Sequence, residues 1–151
     1  MIKLTEVYSM DPLIIKTPYE ITYKHSYGKT SRFFTSLSSG KLMATRCNHC
    51  KVTFLPPRSD CPYCLAETEW VEISGKGKIH TVTTLYFSGE RFLKDLPFQL
   101  VYVDLEGVDT LFLTRLKTKD MKKVKVGMKI RLKISKEPEW RSSDVWAELD
   151  E

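Results

Sequence analysis

Four cysteines are the residues whose types and spacing most clearly indicate chemistry in this chain. They form two CxxC pairs in the stretch RCNHCKVTFLPPRSDCPYC and are the only cysteines in the sequence: Cys47, Cys50, Cys61 and Cys64. Two residues between thiols let each pair approach one ion, and the ten-residue spacer can bring the second pair round to complete a tetrahedron. The pattern predicts a structural zinc site, with iron in a rubredoxin-like site as the alternative.

A thiol–disulfide function fits this pattern less well. Redox CxxC motifs act as one pair at a helix N-terminus, whereas two matching pairs occur here. Four sulfur ligands would also leave no coordination position for a reactive water. His49, inside the first pair, is interpreted as an outward-facing spacer. Many zinc knuckles have glycine after the second cysteine, where the backbone is left-handed, but this chain has Lys51 and Leu65 there.

The elements that must position the cysteines divide the chain into three predicted parts. These are an N-terminal arm over residues 1–40, a zinc ribbon over 41–69 and a barrel over 70–151. Within the arm, KTSRFFTSLSSGKL predicts one short amphipathic helix with Thr30 or Ser31 as its cap and Gly40 at its end. The residues expected on its apolar face are Phe33, Phe34 and Leu37.

Five strand-like segments follow Trp70 and make the predicted fold class mainly β. They are KGKIHTVTTLYF, FQLVYVDLE, DTLFLTRL, MKIRLKIS and DVWAELD. Their number, with the longest interruption between the third and the fourth, favours a five-stranded OB-fold barrel in which the connector LKTKDMKKVKVG replaces the usual helix. An SH3-like barrel is the competing topology.

Catalytic motifs are missing from the sequence, which contains no GxSxG, GxGxxG, Walker or HExxH pattern. His80 falls within the first barrel strand, where a structural or surface role is expected. The carboxylates are dispersed, so no two are spaced to share a proton. We therefore expect a binding protein that is not an enzyme.

Candidate ligand contacts are Arg58, after the rigid Pro56-Pro57 corner, Phe87, at the end of the first barrel strand, and Arg91, in the loop that follows that strand. For Arg58 a plain surface role is the alternative, and for the loop aromatics it is packing against the barrel end. Aromatic and cationic side chains together suit single-stranded nucleic acid, and they suit the adenine and phosphates of coenzyme A equally well.

Charge is unevenly distributed along the chain. Residues 115–136 contain ten Lys or Arg and one acid, although the net charge of the whole protein is only +5. This imbalance indicates a surface for an anionic partner, with a solvated lysine-rich face as the alternative. Charges scattered through MIKLTEVYSMDPLIIK exclude a continuous apolar run, so we expect a cytoplasmic protein, where paired cysteines bind metal more often than they form disulfides.

The order of these segments resembles the domain-of-unknown-function 35 family of acyl-CoA-associated proteins with a rubredoxin-like zinc ribbon and an OB fold. The likeness covers roughly residues 29–135 and is carried by PPR-x-x-CPxC followed by W-x-E-x-SGKG. It implies that the four cysteines bind zinc and that Arg58 corresponds to the arginine of the family's PPR. The first 28 residues lie outside the likeness.

The resemblance also implies a role as an accessory subunit. Members accompany thiolase-like enzymes, including an archaeal acetoacetyl-CoA thiolase and hydroxymethylglutaryl-CoA synthase assembly and aldolases of the thiolase fold. The expected function is therefore a non-catalytic protein that binds acyl-CoA or scaffolds such an enzyme in lipid, isoprenoid or related metabolism. A single-stranded nucleic-acid-binding module is the alternative, and homo-oligomerisation is left open.

Overall fold

The computed structural model describes residues 17–150, except for the side chain of Arg91. Residues 17–27 have no regular secondary structure, a 3-10 turn covers Gly28–Thr30, and helix α1 spans Ser31–Leu37. The first sixteen residues of the predicted arm lie outside the described residues. Every other long element is a β-strand, which confirms the predicted fold class.

Helix α1 is the short amphipathic helix that the spacing of its apolar residues predicts. Phe33 and Leu37 are buried, and Phe34 packs partly against the same core. Phe34 also stacks on Tyr27, with 4.0 Å between ring centroids. Gly40 ends the helix with a φ of +71°, which glycine adopts without strain, and its amide donates to the carbonyl of Leu37.

The predicted side-chain cap of this helix is wrong. The hydroxyls of Thr30 and Ser31 donate to the carbonyls of Tyr27 and Gly28 and accept nothing from the first helical amides. The cause is the preceding 3-10 turn, whose carbonyl at Gly28 already receives the backbone amide of Ser31. A helix that continues from a turn needs no separate side-chain acceptor.

Three short strands build the sheet that carries the cysteines. They are β1 (Met43–Cys47), β2 (Thr53–Phe54) and β3 (Thr68–Glu72), in the antiparallel order β2-β1-β3. Strand β1 is the central one, and only Arg46 of its five residues is exposed. Strand β3 runs past residue 69, the expected ribbon limit, so the last residues of this sheet lead directly into the barrel.

Five further strands form a closed barrel. They are β4 (Lys76–Leu85), β5 (Phe98–Leu105), β6 (Phe112–Lys117), β7 (Lys129–Ile134) and β8 (Val145–Leu149), and they pair in the order β4-β5-β6-β8-β7. All neighbours are antiparallel except β6 and β8. The connector between β6 and β7 contains only the 3-10 turn Met121–Lys123, as the sequence predicts. The OB-fold expectation is thus confirmed over the SH3-like alternative.

Strand β4 closes the barrel because it pairs on both of its sides. It pairs with β5 over residues 77–85 and with β7 over residues 76–78. The register with β5 shifts between Ile79 and Thr81, and such a bulge bends a strand enough to serve two neighbours. Gly77 lies in the doubly paired part, where a Cβ would stand 2.3 Å from the carbonyl oxygen of Asp104. Only glycine fits between these strands.

The hydrophobic core is shared between the barrel and the ribbon. Alternating residues of the barrel strands point inward, for example Val101 and Val103 of β5 and Ile130 and Leu132 of β7. The same cluster contains residues of the helix and of the ribbon segment, namely Phe33, Leu37, Leu42, Ala44 and Leu55. The ribbon and the barrel are therefore held together by common apolar burial.

Hydrogen bonds reinforce this junction. The amide of Thr53 donates to the carboxylate of Asp109 at 2.8 Å, and the amide of Asp109 donates to the carbonyl of Thr53 at 2.9 Å. Thr110 bonds both the amide and the carbonyl of Leu55 through its hydroxyl. The predicted third barrel strand, residues 109–116, therefore begins only at Phe112, because its first residues bind the ribbon instead of β5.

Candidate metal centre and cationic strip

The first cysteine pair lies in a tight turn that follows β1. The amide of Lys51 donates to the carbonyl of Cys47, and the amide of Cys47 donates to the carbonyl of Val52. Two further amides, those of His49 and Cys50, approach the sulfur of Cys47 at 3.4 and 3.2 Å. The turn thus directs N–H groups at a sulfur, an arrangement that stabilises a thiolate.

The second pair repeats this construction. The amide of Leu65 donates to the carbonyl of Cys61, and the amide of Cys61 donates to the carbonyl of Ala66, both at 2.9 Å. Lys51 and Leu65 have φ angles of +62° and +61°. Both positions therefore adopt the left-handed backbone for which many zinc knuckles use glycine, and both have a side chain that disfavours it.

The four sulfurs converge on one point. All of them lie within 4.8 Å of one another, with 3.5 Å between Cys47 and Cys64 and 4.0 Å between Cys50 and Cys61. A tetrahedral zinc ion with Zn–S bonds of about 2.3 Å requires sulfur–sulfur separations of about 3.8 Å. The donor type, number and spacing therefore fit zinc or a rubredoxin-like iron.

The thiols of this cluster differ in acidity. Burial raises the pKa of Cys47, but the amides of Cys50 and His49, together with hydrogen bonds to two neighbouring thiols, outweigh burial and lower that pKa to about 6. The pKa of Cys50 is raised to about 12, first by its hydrogen bond with the Cys64 thiol and then by burial. Packed thiols thus keep a proton at Cys50 that a metal must displace, since the thiolate is the ligand.

His49 lies beside this cluster and not within it. Its side chain is exposed, and its Nδ1 is 3.9 Å from the sulfur of Cys50. Among the described residues, the side chains whose donor atoms gather closely enough for one ion are the four cysteines. Their arrangement leaves a histidine ligand unnecessary.

Comparisons with known proteins match both parts of this architecture. A family model described as ChsH2, rubredoxin-like zinc ribbon domain, matches residues 34–70, and a second described as ChsH2, C-terminal OB-fold domain, matches residues 70–135. The two matches are contiguous and together span about two thirds of the chain. The chain belongs to this family.

Relatives of this ChsH2 family member are named DUF35 domain-containing scaffold proteins. The one from Methanocaldococcus jannaschii is 36% identical over 67 residues, which are 43% of this chain and 48% of the relative. The one from Methanothermobacter thermautotrophicus is 31% identical over 67 residues, which are 43% and 50% of the two chains. The aligned part thus spans about half the length of each of these curated relatives.

Two solved structures share the fold of this family member. The chain of an Ltp2-ChsH2(DUF35) aldolase superposes with a TM-score of 0.65 and 20% identity, covering 83% of this chain and 96% of that one. A DUF35-family protein of unknown function from Sulfolobus solfataricus gives a TM-score of 0.60 and 22% identity, with 82% and 87% covered. At these identities the likeness shows the fold.

The structure places the other predicted contact residues in separate regions. Arg58 is exposed beside a cleft of about 320 Å³ that Lys29, Thr45 and Trp70 also line. Phe87 follows the opposite end of β4, whose ten residues at about 3.3 Å each span up to roughly 30 Å. Phe87 is 85% exposed, so it does not pack against the barrel end. The side chain of Arg91 lies outside the described part of the protein.

The outer face of β6, β8 and β7 combines part of the basic segment 115–136, which the sequence predicts to face an anionic partner, with Trp146, to which the sequence assigned no role. Four cations, Arg115, Lys117, Arg131 and Lys133, surround Trp146, and we call this group the cationic strip. The Nζ atom of Lys117 lies 3.3 Å from the centroid of the Trp146 ring. The signal was present in DVWAELD, because buried Val145 and Ala147 place Trp146 on the outer face.

Within residues 17–150, no helix is both long enough and apolar enough to cross a membrane.

Proposed function

We propose that this protein is a non-catalytic accessory subunit that scaffolds a thiolase-superfamily enzyme and binds acyl-CoA. The names of its relatives support the scaffold role, since two of them are DUF35 domain-containing scaffold proteins. A structural neighbour is a chain of an Ltp2-ChsH2(DUF35) aldolase, a pairing of this fold with another named component. The thiolase-type partner and the acyl-CoA ligand follow from the family resemblance of the sequence.

The observation that carries the proposal is the four-sulfur cluster. Cys47, Cys50, Cys61 and Cys64 fill all positions of a tetrahedral ion, so a bound zinc has no site for water or substrate. In such a site the metal stabilises the ribbon, while catalytic zinc keeps one position open. Zinc bound here would thus stabilise a protein whose role is to contact a partner enzyme.

The loop after β4 provides a surface suited to that partner. Tyr86 and Phe87 are 75% and 85% exposed, and Leu93 is also largely exposed. Exposed apolar side chains close together mark interaction sites more often than isolated ones do. Aromatic residues in particular contribute strongly at protein interfaces.

Co-purification tests the proposal. The tagged full-length protein, isolated from its native source, should retain a thiolase-superfamily enzyme in stoichiometric amount, and calorimetry should detect acyl-CoA binding to the complex. Recovery of the chain alone, without such a companion and without acyl-CoA affinity, would contradict it. Turnover of a thioester by the isolated chain would contradict the non-catalytic role.

Paired variants locate the partner surface. The double substitution Tyr86→Ser and Phe87→Ser should release the enzyme, while Tyr63→Ser should not. Tyr63 is a suitable control because it is an exposed aromatic residue on the ribbon. Equal retention of the enzyme by both variants would remove the loop from the interface.

A single-stranded nucleic-acid-binding module is the second candidate. The observation that favours it is the cationic strip around Trp146, because strand-binding OB folds combine aromatic and basic side chains. Filter binding with single-stranded RNA and DNA should then weaken steeply as salt rises. Absence of retention at low salt would exclude this function.

A further inference from the structure

We propose that the cationic strip and the cleft beside it bind the phosphate groups of a nucleotide, with the indole of Trp146 next to the base. Where the nucleotide is part of coenzyme A, the inference rests on the acyl-CoA half of the proposed function. Where it is part of a nucleic-acid strand, the inference stands without that half. The shared chemistry is phosphoryl oxygen beside a planar base.

Strand register sets the spacing of the charges. Arg115 of β6 pairs with Trp146 of β8, which pairs with Lys133 of β7, so these side chains form one row across three strands. Neighbouring strands are about 4.8 Å apart, so the row is about 10 Å wide. Lys117, Glu148 and Arg131 form the next row on the same face. The cations are thus spread over an area that a nucleotide can cover.

Existing ion pairs show which cations remain available. Arg115 pairs with Asp95 at 2.8 Å, and Arg131 pairs with Asp150 at 3.3 Å. The carboxylate of Glu148 accepts the indole N–H of Trp146 at 2.8 Å. The salt bridges between described residues leave Lys117 and Lys133 without a carboxylate partner, so these two lysines are the ones that an incoming phosphate would meet.

An open cleft of about 620 Å³ adjoins the strip at Lys117 and Glu148. Its lining includes Lys117, Lys119 and Lys123 against two acids, Asp120 and Glu148. Asp120 is already engaged, because it pairs with Lys123 and accepts the amide of Lys122. The volume lies in the range of small-molecule sites.

The indole favours a nucleotide over an acidic protein surface. Lysines alone would serve either partner, but a base also gains from stacking on an aromatic ring. Lys117 now lies over that ring at 3.3 Å. A phosphate that draws Lys117 aside would uncover the ring for the base, so one movement prepares both contacts.

Neutralisation of the two free lysines provides the test. The double variant Lys117→Gln and Lys133→Gln is compared with Lys24→Gln and Lys41→Gln, which changes the net charge equally at exposed residues that belong neither to the strip nor to the lining of its cleft. The probes are coenzyme A, adenosine 3′,5′-bisphosphate, a single-stranded oligothymidylate and phosphate-free pantetheine. Calorimetry is run on the full chain at about 50 and 200 mM salt.

The strip variant should lose roughly three- to fivefold in affinity per lysine, or about tenfold or more in total at low salt. The control variant should bind each phosphate probe as tightly as the unaltered protein does. Phosphate-free pantetheine should show no difference in affinity between the strip variant and the control variant. Trp146→Leu should weaken the binding of the nucleotide probes, but their affinity should still depend on salt because the lysines are retained. Circular dichroism and thermal midpoints establish that each variant is folded.

Each pattern of binding has a defined meaning. Loss of coenzyme A and bisphosphate binding in the strip variant supports the inference with the cofactor as source. If the unaltered protein binds the oligonucleotide but neither coenzyme A nor the bisphosphate, and the strip variant loses that binding, the inference is supported with nucleic acid as source and the acyl-CoA half of the proposed function is contradicted. Coenzyme A binding that is equal in both variants overturns the inference and leaves the proposed function intact. Failure of every phosphate probe to bind, with enzyme released from the strip variant, also overturns it and assigns the strip to an acidic protein surface.

Discussion

Glycine substitution at the second cysteine turn tests whether backbone strain at the metal centre is real. Leu65 has a φ of +61°, and its side chain is 82% exposed. A left-handed residue with a Cβ costs roughly 1–2 kcal/mol, and glycine avoids this while losing about 0.5–1 kcal/mol of extra chain entropy. Leu65→Gly should therefore be more stable than Leu65→Ala by about 0.5–1 kcal/mol.

Comparison with alanine isolates the backbone term. Both substitutions remove the same apolar contact, which for a side chain less than one fifth buried is on the order of 0.3–0.5 kcal/mol. Alanine keeps the strain and glycine does not. Lys51 has a φ of +62°, so Lys51→Gly should likewise be more stable than Lys51→Ala.

Thermal unfolding at saturating zinc is the assay. A difference of this size corresponds to roughly 1–4 °C in the midpoint for a chain of about 150 residues. Tyr63 supplies a matched control between the two cysteines of the second pair, because it is exposed and is not among the residues with positive φ. At Tyr63 the order of the thermal midpoints should reverse, so that Tyr63→Ala unfolds at a higher temperature than Tyr63→Gly. If Leu65 and Tyr63 show the same order, strain at the turn is refuted.

Three further predictions concern the barrel and the metal. Gly77→Ala should destabilise the fold by about 3 kcal/mol or more in urea unfolding, because the added Cβ would meet the backbone of Asp104. Gly89→Ala is the control and should have little effect, because the space around Gly89 is open. Elemental analysis should find one zinc per chain, and a coloured preparation would indicate iron instead. Zinc affinity, measured by chelator competition, should rise by at least tenfold per pH unit near neutrality. The reason is that the raised pKa of Cys50 keeps a proton on this thiol, which zinc must displace. An affinity that does not change with pH would contradict this prediction.

The barrel could be predicted from sequence because its strands have one buried face. In β7 the alternation of Lys129, Arg131 and Lys133 with Ile130, Leu132 and Ile134 is the physical pattern of such a strand. The metal cluster could be predicted because two thiols two residues apart can approach one ion whatever the surrounding fold. Both signals are local, and a local signal survives in a single sequence.

The remaining features depend on contacts between distant segments. Strand β2 has only two residues, too few to show any period, and its Thr53 bonds Asp109 from a barrel loop. The contact between Lys117 and Trp146 joins two strands that are parallel neighbours only after the barrel closes. Sequence patterns contain no information on such pairs until the topology is known.

Charge decides between the two places where this chain could hold an anionic ligand. The cleft beside Arg58 also contains Glu67, and Lys29 at its edge pairs with Asp60. Residues 59–72 contain four acids and no Lys or Arg, whereas residues 115–136 have a balance of ten cations to one acid. Salt screens the interaction between exposed charges that are more than about 10 Å apart, so the residues nearest to the ligand dominate its electrostatic energy. A phosphate ligand should therefore favour the cationic strip, which leaves Arg58 better placed to meet a neutral or mixed-charge surface of a protein partner.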